Sequence, residues 1–142
     1  SELLCETVAP SPNKVAHALA RNFGWTIVPC GDTALNLLGL STQVPSQWVY
    51  VSDGAYKEYT FDNTTIKFKR TTNKEISKVS YKTALTIQAL KALGKENITD
   101  QVISRLKKIL TDEEKEKMLA ESKSATSWVL EFIKVICKDE EK

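Results

Sequence analysis

The sequence predicts an α+β fold: a small mixed β-sheet flanked by helices, followed by a helical C-terminal half. Three observations predict it. Short apolar runs bounded by turn residues fill positions 25 to 70. Within them, Ile66-Lys67-Phe68-Lys69 alternates apolar and charged residues with the period of a strand. From Ser80 onward, apolar residues recur every three or four positions, the period of a helix.

The elements follow in order. Residues 1–10 read as an extended lead-in. Ser11-Pro12 starts a helix, because serine caps the first turn and proline loses no hydrogen bond there. Val15, Ala16, Leu19, Ala20 and Phe23 share one face, and Gly24 supplies a left-handed stop. Trp25 to Val28 is a short strand ended by Pro29. Asp32 or Thr33 caps a second, short helix carrying Ala34, Leu35, Leu37 and Leu38, which Gly39 ends. Trp48 to Val51 is the next strand, and a strand–helix–strand order favours parallel, right-handed pairing of the two. Asp53-Gly54 signals a hairpin. Tyr56 to Phe61 and Thr64 to Arg70 form an antiparallel pair around Asp62-Asn63.

The helical half begins at Ser80, with Ala84, Ile87 and Leu90 on one face and Gly94 at the end. Ile98-Thr99 opens a helix with Val102, Ile103, Leu106, Ile109 and Leu110 on one stripe. Thr111 and Glu114 fit a capping box. The last helix places Ala125, Trp128, Val129, Phe132, Ile133 and Ile136 on one face and Leu130 and Val135 on the other. It is therefore either well buried or a contact between copies of the chain.

The chain of 142 residues reads as one domain over 1–142, with an α/β part over 1–94 and a helical extension over 95–142. No run approaches the roughly 20 apolar residues of a membrane span, so no membrane partner is expected. Cys5, Cys30 and Cys137 are far apart and His17 is the single histidine, so neither a zinc site nor any other metal or cofactor is expected. Three reduced thiols fit a cytoplasmic protein. His17 lies off the apolar stripe of the first helix, which predicts a surface position.

The net charge of +2 hides an asymmetry. Residues 1–53 sum to −2, residues 54–110 to +7 and residues 111–142 to −3. Two readings fit the basic middle: a localised anionic partner, or a solvated lysine-rich face. Lys67, Lys69, Arg70 and Lys74 are the candidate contacts for nucleic acid or an acidic protein, with Lys57 beside them and Tyr56 and Tyr59 as stacking surfaces. Lysines on an exposed strand also simply block edge aggregation. Asn36 and Gln43, polar residues in an otherwise apolar helix and its exit, either serve local backbone groups or form an interaction segment.

The run Gly31-Asp32-Thr33-Ala34-Leu35-Asn36-Leu37-Leu38-Gly39-Leu40-Ser41-Thr42-Gln43-Val44-Pro45 stands between Gly24-Trp25-Thr26-Ile27-Val28-Pro29 and Trp48-Val49-Tyr50-Val51-Ser52-Asp53-Gly54. Together they resemble the AbiEi-type antitoxins of bacterial type IV toxin–antitoxin systems, most strongly the short-chain branch. The resemblance covers about residues 1 to 94, and Thr33, Asn36, Gln43, Ser52, Asp53, Gly54, Lys69, Asn73 and Glu75 match the family pattern. Related sequences carry two consecutive basic residues after the lysine, where this chain has Arg70-Thr71.

The resemblance implies a non-catalytic C-terminal antitoxin domain without the family's N-terminal winged helix-turn-helix. Its expected partner is a cognate nucleotidyltransferase toxin, with RNA or non-specific DNA contact as a further expectation. Gly31-Asp32-Thr33-Ala34-Leu35 is also similar to the Gly-Gly-Thr-Ala-Leu start of nucleotidyltransferases. Those enzymes need an Asp-x-Asp pair on the following strand to hold two metal ions. That strand here reads Trp48-Val49-Tyr50-Val51-Ser52-Asp53, with one acid at its end, so no catalytic residue is expected. The alternative is an inactive nucleotidyltransferase-like or nucleic-acid-binding module.

Overall fold

A computed structural model describes residues 11–42, 45–61, 63–71 and 79–138. Lys74 and Gln43 of the candidate contacts lie outside the described residues, as do Cys5, Asn73 and Glu75. The elements are α1 (Pro12–Phe23), β1 (Ile27–Pro29), α2 (Gly31–Leu37), β2 (Gln47–Ser52), β3 (Lys57–Phe61) and β4 (Thr64–Arg70). The helical half then holds α3 (Tyr81–Leu93), α4 (Asp100–Ile109), α5 (Asp112–Glu121) and α6 (Ser127–Cys137). The α+β class is as the sequence predicts: one mixed four-stranded sheet, flanking helices and a helical C-terminal part.

The sheet order is β1-β2-β4-β3. β1 and β2 are antiparallel, with Ile27 opposite Ser52 and Pro29 opposite Tyr50. This corrects the parallel pairing expected from the strand–helix–strand order. The start of α2 is bonded directly to β2: the Cys30 N–H donates to the Val49 carbonyl and the Val49 N–H donates to Thr33 Oγ1. These bonds keep the connection at the end where β1 leaves the sheet, and the chain enters β2 there, so the two strands run antiparallel.

Asp53-Gly54 makes a turn but not a hairpin between paired strands, a second correction. β3 goes to the far edge and β4 returns between, parallel to β2 and antiparallel to β3. The turn is fixed to β1 instead: the Thr26 N–H donates to Asp53 Oδ1 at 2.9 Å, and the Gly54 N–H donates to Ser52 Oγ at 2.9 Å. The hairpin around Asn63, whose φ is 63°, is as expected.

Each sheet face has its own core. Trp48, Tyr50, Ile66 and Phe68 pack on Ala16 and Ala20 of α1, with Ile27 and half-buried Tyr59. On the other face, Val28 and Val51 join a larger cluster that runs through α2 to α6, including Leu90, Leu106, Met118, Val129, Ile133 and Ile136. Pro29 and both its neighbours in β1 are buried because helices cover both faces there.

α3 lies at the centre of the larger cluster. The sequence predicts one buried face, yet every residue from Thr83 to Leu90 is buried. α2 and β1 lie against it on one side and α5 and α6 on the other. The small and polar residues Thr83, Ala84, Thr86 and Ala89 let these neighbours approach. Its first turn is held from a distance: the Ser80 N–H and hydroxyl both donate to Glu121 Oε1 at 2.9 Å.

Several helix ends follow from sequence. Ser11 accepts from the Lys14 N–H, and Thr99 accepts from the Val102 N–H. The Thr111–Glu114 capping box is complete in both directions. The start of α2 differs from expectation. Cys30 is its cap residue and makes no side-chain cap bond, while Thr33 turns away to accept the Val49 N–H at 2.8 Å. α6 buries Val129, Ile133, Ile136 and Cys137 and leaves Val135 exposed.

His17 is not a surface residue, a further correction. It is half-buried, its ring edge-on to Tyr50 at 6.1 Å and to Tyr81 at 5.8 Å, so it wedges between α1, the sheet and α3. Burial, and secondarily the Arg21 charge, lower its pKa below 6.5. The unfolded chain therefore takes up a proton at a higher pH than the folded one. Stability from this group is complete above the unfolded value of 6.5 and falls as the pH is lowered through it. It levels off once the folded imidazole also protonates. Thermal melts across this window are expected to show a fall in Tm that is lost in His17→Gln. A wild-type Tm that is flat from neutral pH down through this window contradicts the wedge.

Candidate interaction face

The candidate contacts sit on β4, where Ile66 and Phe68 point into the α1-side core and Lys67 and Lys69 point to the opposite face. Among the described residues, that face is covered by helices over β1 and β2 but is open over β3 and β4. The alternation read from sequence therefore holds: Ile66 and Phe68 are fully buried, Lys67 is half-buried and Lys69 is exposed.

The basic set does not form one patch. Glu58 stands directly across from Lys67 in the register, and the Lys67 Nζ lies 3.7 Å from Glu58 Oε2. The Tyr56 hydroxyl donates to the same carboxylate oxygen at 2.8 Å, and that bond holds the phenol above its ordinary pKa. A carboxylate thus occupies the middle of the open face. Lys69 projects toward the start of α2, where its charge pulls down the Cys30 thiol that burial pushes up. Among the described residues, Lys69 and Arg70 have no ion-pair partner.

Strand alternation separates the remainder. Arg70 follows Ile66 and Phe68 onto the α1 side. Lys57, opposite Phe68, lies on that side too, with its Nζ 5.6 Å from the centre of the Phe23 ring. Tyr59, opposite Ile66, packs its ring against the buried Phe68 and against the exposed Phe23. It is not a stacking surface beside Lys67. The sequence could not reveal this, because the pairing of β3 with β4 decides which side chains share a face.

The other candidate segment is part of the fold. Asn36 is half-buried on α2, and its carbonyl accepts the Gly39 N–H at 3.1 Å. Gly39 has a φ of 74°, and a side chain there would run into the Arg105 guanidinium from α4. The left-handed backbone favours glycine at this position, and the flexible Arg105 side chain lies over it. Arg105 was invisible to sequence reasoning as a neighbour of this segment. It also lines a cleft of about 320 Å³ with Asp100, Gln101, Ser104 and Lys108. A second cleft of about 220 Å³ lies at the start of α2, between Asp32, Thr33, Pro45, Ser46, Gln47 and Val49. Among the described residues, no three His, Cys, Asp or Glu side chains come together, and no helix is long and apolar enough to cross a membrane.

These features define a small α+β domain whose open sheet face carries the Lys67–Glu58 pair and the exposed Lys69. The chain belongs to a family of unknown function, DUF6088, whose sequence profile matches residues 1–118, from the chain start into α5. No curated protein and no solved structure matches it.

Proposed function

We propose that this chain is a non-catalytic antitoxin domain of a bacterial type IV toxin–antitoxin, or abortive infection, system, acting in the cytoplasm. It neutralises a cognate nucleotidyltransferase toxin and, joined to a DNA-binding domain, supports autoregulation of its operon. The observation that carries this reading is the Gly31–Pro45 run with its two flanks. The fold makes specific use of its residues. Thr33 ties α2 to β2, Gly39 admits Arg105, Asp53 holds the Thr26 N–H, and Gly54 lies under the Trp25 ring. These contacts support treating the segment as one structural block and its likeness to the antitoxins as more than a short motif.

Val49 and Val51 occupy the β2 positions facing the α2 side, so the strand after α2 presents apolar residues there and no carboxylate pair for two metal ions. Asp53 lies beyond the strand and serves the backbone. The purified chain is therefore expected to transfer no nucleotide from labelled nucleoside triphosphates with magnesium or manganese. Turnover that vanishes in Asp53→Ala while the melt is retained places the chain among enzymes instead. The genetic counterpart is a nucleotidyltransferase reading frame directly downstream.

A further inference from the structure

We propose that the exposed ring of Phe23 is a stacking site for an unpaired base of single-stranded nucleic acid. The site is built by the end of α1. Gly24, at a φ of 73°, donates its N–H to the Arg21 carbonyl, and the Trp25 N–H reaches back to the Ala20 carbonyl at 2.9 Å. This paired closing turn folds Trp25 under Phe23. The two rings stack with centroids 4.7 Å apart and planes 29° apart.

The indole in turn lies against Gly54, where a Cβ would overlap the ring atoms, so only glycine fits. It also meets the buried Phe68 edge-on at 5.8 Å. Gly54, Trp25 and Phe23 thus form a layered stack rooted in the core. Its outermost ring, Phe23, is 41% exposed.

The surrounding charge selects the ligand. Lys57 Nζ stands 5.6 Å from the Phe23 centroid. Arg21 lies in the last turn of α1, and exposed Arg70 ends β4 on the same sheet side. Asp53, beside Gly54, is held by the Thr26 N–H. An aromatic shelf with the Lys57 ammonium over it suits a ligand that is both flat and anionic. A nucleotide chain has both properties, and only an unpaired base presents its face. A base stacking on Phe23 takes the place of the Lys57 ammonium over the ring and leaves that lysine to meet a flanking phosphate. The site is on the opposite sheet face from Lys67 and Lys69 and does not depend on the antitoxin reading.

The test is fluorescence anisotropy of a labelled oligouridine with the full chain at low salt, with inorganic polyphosphate as a ligand without bases. Phe23→Leu keeps an apolar side chain but removes the flat ring, and is expected to weaken oligouridine binding about tenfold. Its circular-dichroism melt should stay close to that of the wild type. Phe23→Tyr should bind like the wild type, and polyphosphate should not distinguish the three proteins. Equal oligouridine affinity for folded Phe23→Leu and wild type overturns the proposal. So does the absence of oligouridine binding at low salt. Phe23-dependent binding to phosphatidylserine vesicles without oligouridine binding also overturns it, in favour of a lipid surface. Toxin neutralisation is scored separately, by growth, so failure here leaves that reading standing.

Discussion

Phe68→Ala is expected to lower the free energy of unfolding by about 3–5 kcal/mol. Phe68 is fully buried between three rings: Trp25 at 5.8 Å, Tyr50 at 6.0 Å and Tyr59 at 6.2 Å. Its removal leaves a cavity whose walls are anchored in β1–β2, β3 and the α1 turn, so they cannot close together. Against a typical domain stability of about 5–15 kcal/mol, this is a large fraction. Chemical denaturation should show a lower midpoint with an unchanged slope. The adjacent Lys69→Ala should change stability by no more than about 0.5 kcal/mol, because that side chain faces solvent. Equal costs for the two neighbours contradict the assignment of the β4 faces.

Reversing Lys67, Lys69, Arg70 and Lys74 together to glutamate is expected to abolish protection against the toxin while leaving the fold in place. Each exposed cation contributes at most about 0–1 kcal/mol to stability, and Ile66 and Phe68 carry the packing of the strand. Lys67→Glu brings a second negative charge against Glu58, so a small loss of stability should come from that position. The functional loss should be much larger, because several cations acting on one anionic surface add up and respond steeply to salt. The division of the set between two sheet faces allows a finer measurement. Lys67→Glu with Lys69→Glu tests the open face, and Arg70→Glu tests the α1 side. Protection is expected to follow the open-face pair, and full protection by a folded quadruple variant removes β4 from the mechanism.

Local chemistry was legible in the sequence where neighbours along the chain decide the outcome. Ser11-Pro12, Gly24, Thr99 and the Thr111–Glu114 box all begin or end helices as their residue types require. The alternation of Ile66 and Phe68 with Lys67 and Lys69 also survives in the fold. What failed was set by distant partners. The bonds from Cys30 and Thr33 to Val49 hold α2 at the end where β1 leaves and β2 enters, so the two run antiparallel, and β4 entering between β2 and β3 turns Asp53-Gly54 into a crossing turn. The β3–β4 register sends Tyr59 and Lys57 to the face opposite Lys67, and places Glu58 against it. His17 looked exposed because it lies off the α1 stripe. It is covered by Tyr81, from a helix that begins far along the sequence. The layered contact of Gly54, Trp25 and Phe23 has the same origin, since only the folded sheet brings the Gly54 turn to the end of α1.

Growth of cells expressing the nucleotidyltransferase toxin that the proposal assigns as partner tests the central claim most directly. With the toxin induced alone, growth should stop. With the wild-type chain co-expressed, growth should resume, and the charge-reversed variant should fail to restore it despite a wild-type-like circular-dichroism spectrum. Continued arrest in cells that contain the wild-type chain in soluble, folded form contradicts the antitoxin account.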